Sequence, residues 1–290
     1  METETTRNIN ITFINNYQFK KTMKKLSILA VAFAALAFAA CGNKNAKNAE
    51  SADSVVKTFE QEQIEASIKM HVDSLASEIG KLKHMPFMQS GADGTVKLTK
   101  EELQVKPDYL LNPSVAENAT TLAEKYRMLS ALDIDRRVAK LYEMPTEDYD
   151  KVITKLAADI DDPSFKDLDD TNTISETSQA LYNSMNENGR INYFWQLAAA
   201  SMVEQLYVAS QNTEKFLGSF TDETAANTTF RVVLILDALD RLSEYDADIK
   251  PVAEALAPLD VLNATSVQEL KSQIADAQDK IAAARAALAK

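Results

Sequence analysis

Cysteine is almost missing from this chain. Cys41 is the only one, so no intrachain disulfide forms and no set of thiolates exists to hold zinc. Histidine is nearly as scarce, and His71 and His84 lie thirteen residues apart. At 100° per residue that is about 220° around a helix, so the two rings face different ways and share no metal. Glycine occurs at only six positions in 290. There is no P-loop, no dinucleotide fingerprint, no G-x-S-x-G and no H-E-x-x-H. Positive charge is short as well: 31 Lys and Arg stand against 43 Asp and Glu, a net charge of −12. Phosphate contacts need clustered Lys and Arg, so nucleic acid is an unsuitable partner. Carboxylate pairs are plentiful in so acidic a chain, and for that reason single out no acid–base site. The expectation is a protein that is not an enzyme.

Long apolar runs are also wanting. The stretch Leu26–Ala40 has 15 residues, short of the ~20 that span a bilayer. What stands around it is more telling. Lys24 and Lys25 precede it, Phe38-Ala39-Ala40 close it, and Cys41 follows at once. Positive n-region, apolar h-region and small residues before a cut site form an export signal. The run Met23–Cys41 resembles the lipobox of bacterial lipoproteins, with Phe38 where Leu, Val or Ile is usual. The resemblance implies cleavage before Cys41, a covalent lipid on its thiol and no thiol left for catalysis. Two or more acyl chains anchor stably where one is marginal, so the membrane is a partner through the lipid rather than through a basic face.

Residues 1–22 read as an extension before the true start at Met23, residues 23–40 as signal peptide, and 41–54 as a polar, flexible tether. Without residues 1–40, which hold five Lys and Arg against two Asp and Glu, the net charge becomes −15. Residues 55–290 read as a single helical domain, with possible halves at 55–160 and 173–290. Ala, Leu, Glu, Lys and Gln dominate, as helix interiors prefer, and no strand pattern emerges. The expected class is all-α, a multi-helix bundle with helices at about 54–84, 114–142, 146–160, 173–212 with a pause near Gly189, 222–246, 249–258 and 265–289. Thr99 with Glu102, Thr173 with Glu176, and Thr265 with Gln268 or Ser266 with Glu269 are capping boxes.

One internal echo stands out. Tyr126-Arg127, Leu132-Asp133 and Arg137 match Phe230-Arg231, Leu236-Asp237 and Arg241, each offset by 104 residues. Residues 126–160 and 230–258 read either as a duplicated helical hairpin or as chance similarity between amphipathic helices. The Asp and Arg are four apart in both copies, an arrangement that stabilises a helix by ~0.2–0.5 kcal/mol.

Three weaker patterns suggest sites. The aromatic-rich segment from Tyr193 to Tyr207 holds the only Trp, and Tyr193 and Trp195, with Asn192 and Gln196, form a candidate stacking groove for a ligand or partner; the alternative is plain core. Asp159, Asp161, Asp167 and Asp169 lie in an acidic stretch that offers oxygen ligands to calcium but fits no EF-hand register; the alternative is a solvated linker. Asp53-Ser54-Val55 is similar to the short O-glycosylation motif of Bacteroidetes-type bacteria, which marks Ser54. Signal, tether and helical body together resemble the helical lipoproteins of that group. The resemblance implies an outer-membrane lipoprotein, on the periplasmic or the cell-surface face, that scaffolds or binds an envelope protein. The second implied class is a small-ligand or glycan module at the surface, with calcium assistance and otherwise no cofactor.

Overall fold

A computed structural model describes residues 59–79, 82, 96–165 and 178–289. Expectations for Cys41, Ser54, the signal, the tether, Asp167, Asp169 and the Thr173–Glu176 box lie outside these residues. The chain divides into two compact units, residues 1–67 and 68–290. Of the first, residues 59–67 are described; they are helical, and Ile64 is exposed.

The protein is all-α, a multi-helix bundle, and no strand occurs among the described residues. In chain order the α-helices are α1 (Phe59–Ile79), α2 (Leu122–Leu141), α3 (Glu147–Ile160), α4 (Ser178–Glu187), α5 (Ile191–Gln211), α6 (Thr213–Phe216), α7 (Asp222–Leu242), α8 (Lys250–Leu256), α9 (Val267–Asp276) and α10 (Gln278–Leu288). Short 3₁₀ turns at Pro113–Asn118 and Ala257–Val261 join them.

Within the second unit α2, α5 and α7 are central. Each is buried almost all the way round, the mark of a helix enclosed by others rather than lying on a surface. Ala199, Ala200 and Ser201 keep α5 slim, and α2 packs closely along it. α3 and α9 are amphipathic and bury one stripe each, through Tyr149, Leu156 and Ile160 and through Leu270 and Ile274. α10 closes against α5, α8 and α2.

Local chemistry sets the ends of these helices. Thr121 and Glu124 form a full capping box at the start of α2. The Glu124 carboxylate accepts from the Thr120 and Thr121 N–H groups, both at 2.8 Å. Gly189, at φ +68°, gives the left-handed turn that separates α4 from α5. The Thr99–Glu102 box forms and opens the expected short turn, a single 3₁₀ turn at Glu102–Gln104. Of the two boxes expected near 265, Ser266 is the N-cap, while Thr265 adds its own N–H to the Glu269 carboxylate at 2.8 Å.

Two expected helices are broken. The one expected at 114–142 is a 3₁₀ turn followed by α2, because Ala119 is extended and Thr121 restarts the helix. The one expected at 265–289 breaks at Ala277, which is buried and leaves the helical region.

Residues of the 104-residue echo make similar contacts, though with carbonyl partners that are not themselves 104 residues apart. Arg137 reaches Asp133 at 3.5 Å, and Arg241 reaches Asp237 at 3.7 Å. Arg127 donates to the Leu288 carbonyl at 3.3 Å and Arg231 to the Leu82 carbonyl at 3.0 Å. The surroundings differ: α3 has 14 residues, whereas α8 has seven and runs on into the turn Ala257–Val261.

Candidate binding groove

A groove of about 410 Å³ lies between the Pro113–Asn118 turn, the start of α2 and one face of α3. Each wall has a local cause. Asn112 caps the turn by accepting from the Ser114 N–H at 3.0 Å, and Pro113 fixes its first residue. α3 is pinned from two sides. Tyr149 donates to the Leu111 carbonyl at 2.7 Å, and Arg136 of α2 donates to Asp150 at 3.0 Å.

The α3 face turned to the groove carries Asp148, Lys151, Val152, Lys155, Leu156 and Asp159, spaced at three and four residues. Pro113, Ala116, Ala119, Val152 and Leu156 make its apolar surface. The polar lining is Asn112, Ser114, Glu117, Lys125 and the charged residues of α3. Lys125 pairs with Asp159 at 3.6 Å. Lys151 and Lys155 are exposed and make no ion pair among the described residues. The lining holds no histidine and no thiol. Its volume falls in the range of small-molecule pockets, with an apolar surface beside two uncommitted cations and the carboxylates of Glu117, Asp148 and Asp159.

The Tyr193–Tyr207 segment is core instead of a surface groove. Trp195 and Gln196 are fully buried. Trp195 meets Phe194 edge to face at 5.3 Å, and Gln196 accepts from the Arg127 guanidinium. Tyr193 is half-buried and stacks on Tyr126, with ring centres 4.9 Å apart and planes 8° from parallel. Asn192 donates to the Asp246 carboxylate. A helix at the centre of a bundle buries its largest rings, so density of aromatics marks packing here.

The described part of the acidic stretch, up to Phe165, is likewise engaged in local structure. Asp159 pairs with Lys125, and Asp161 ends α3 in the left-handed region at φ 48°. No group of three or more His, Cys, Asp or Glu able to hold a metal ion occurs among the described residues. His71 pairs with Asp237 at 2.7 Å instead.

The groove was missed in sequence because its wall is a 3₁₀ turn read as helix, and surface lysines four apart are common on any helix. The only available signal was Asn112-Pro113-Ser114, a capped start standing just before Lys125. Protein-family models, curated proteins and solved structures yield no match to the chain.

Proposed function

We propose that the protein is a lipoprotein of the bacterial envelope, non-enzymatic, whose helical body serves as a scaffold or protein-interaction module. The observation that carries this reading is the Met23–Cys41 run, which sets the only cysteine directly after an apolar stretch too short to span a bilayer. The lipid on Cys41 is the membrane attachment; among the described residues no helix is long and apolar enough to cross a membrane. The outer membrane is its place, and an envelope protein its partner.

The groove beside α3 favours a second reading, a binding module for a small ligand or a short segment of a partner. A ligand with an apolar body and an anionic group matches the Ala116–Leu156 surface and the two free lysines.

Replacing Cys41 by Ser tests the main reading. The variant is expected to keep the helical circular dichroism of the wild type and to move from the membrane pellet to the soluble fraction. A variant that stays with the membrane defeats the lipoprotein assignment.

A further inference from the structure

Two carboxyl groups and one guanidinium meet where α2, α5 and α10 pack. Asp135 of α2 has no exposed surface, and Glu204 of α5 is 2% exposed. Arg285 of α10 gives Glu204 everything it can: Nε stands 2.9 and 2.8 Å from the two oxygens, and Nη2 2.6 Å from Oε1. The same Nη2 reaches Asp135 Oδ2 at only 3.4 Å. That oxygen accepts from the Leu111 N–H at 2.7 Å, while Oδ1 of Asp135 is buried with no hydrogen-bond partner among the described residues. The remaining neighbours add no positive charge. α5 contributes Tyr207, whose ring lies 4.0 Å beneath the Arg285 guanidinium; α3 contributes Tyr149, and the segment before α2 contributes Tyr109. Along α2, Arg136 turns to Asp133 and Asp150, Arg137 turns to Asp133, and Arg127 is taken up by Gln196 and the Leu288 carbonyl.

Two ionised carboxylates against one guanidinium would leave a net negative charge in a fully buried site, and a bare oxygen besides. An uncompensated buried charge is among the costliest defects a fold can carry. We propose that Asp135 keeps its proton in the folded protein at neutral pH, leaving Glu204–Arg285 as a single ion pair, and that this proton is a pH-sensitive latch holding α10 on α2 and α5. Burial and the charge of Glu204 both push the Asp135 carboxyl well above the usual carboxylate range, against the opposing pull of the Leu111 N–H and Arg285. Because the value is raised in the folded state, the stabilisation is complete below the ordinary carboxylate range. It is lost as pH rises through the raised value, when the proton leaves to solvent.

Infrared spectra of the purified full chain at neutral pH, with and without ¹³C-labelled aspartate, test the proton directly. A protonated-carboxyl carbonyl band that moves with the label, and is missing in Asp135→Asn, is expected. Thermal unfolding from about pH 5 to pH 9 tests the latch. The wild-type Tm is expected to fall towards alkaline pH relative to Asp135→Asn, whose amide keeps the shape without the titration. Should Asp135→Asn not fold, the wild-type band decides alone, by fading with rising pH in step with loss of stability. Absence of the labelled band, or Tm curves of the two proteins that run parallel across the range, overturns the proposal.

Discussion

Arg285 ties a late helix to two earlier ones through Glu204 and Asp135, and it covers the face of Tyr207. Replacing it by Met keeps the aliphatic stem but strands Glu204 as a buried charge. Removing one partner of a buried pair costs about 3–5 kcal/mol, so Arg285→Met is expected to lose most of the stability margin in urea unfolding. Arg127 and Arg231 each donate to a carbonyl, of Leu288 and of Leu82. Arg231 is held down to about 10 by burial, and Arg127 is lowered for the same reason. Little of this was legible in the sequence. Asp135, Glu204 and Arg285 lie on three separate helices, and only packing makes one guanidinium answer for two acids.

At the scale of the helix, the ends decide more than the middles. Glu124 accepts three hydrogen bonds at the start of α2, from the Thr120 and Thr121 N–H groups and the Thr120 hydroxyl. The Thr121 N–H, followed by that of Thr120 and by the threonine hydroxyls, holds its carboxyl down to about 2. A lowered carboxylate contributes stability above its ordinary value near 4.3, and that contribution is lost as pH falls towards 2. Glu124→Gln is therefore expected to unfold at lower temperature than the wild type at pH 7, by about 1 kcal/mol as for other lost caps. The two melting curves should converge by about pH 2. The box itself was readable as Thr121-x-x-Glu124, yet Pro113 suggested an earlier helix start, and the extended Ala119 between them has no composition that announces it. The break at Ala277 is hidden for a like reason: it sits in an Ala-rich run with no Gly or Pro, and burial sets it. Where Gly189 marks the pause between α4 and α5, sequence and structure agree, since that φ suits glycine.

The whole molecule combines a strongly acidic composition with one groove where two lysines stand uncommitted. Reversing both, Lys151→Glu with Lys155→Glu, touches exposed side chains only, so Tm is expected to hold within the small range of surface substitutions, about ±0.5 kcal/mol. Anilinonaphthalene sulfonate, an apolar ring system with one sulfonate, serves as a probe for the groove. Fluorescence titration is expected to show about tenfold weaker binding to the double variant, about 1.4 kcal/mol. Equal binding would place the dye, and any anionic ligand like it, elsewhere. The all-α class was legible because helix formers fill the chain and strand patterns are missing. The groove was not, because what makes it is the angle between a short turn and α3.

The contact between α10 and α2 also bears on how the protein comes to be folded. Arg285 meets Asp135 across 150 residues of sequence, and Arg127 meets Leu288 across 161. Contacts of such long range form late, because the loop between them must close first. A nascent chain therefore carries Asp135 of α2 and Glu204 of α5 without Arg285 until α10 emerges.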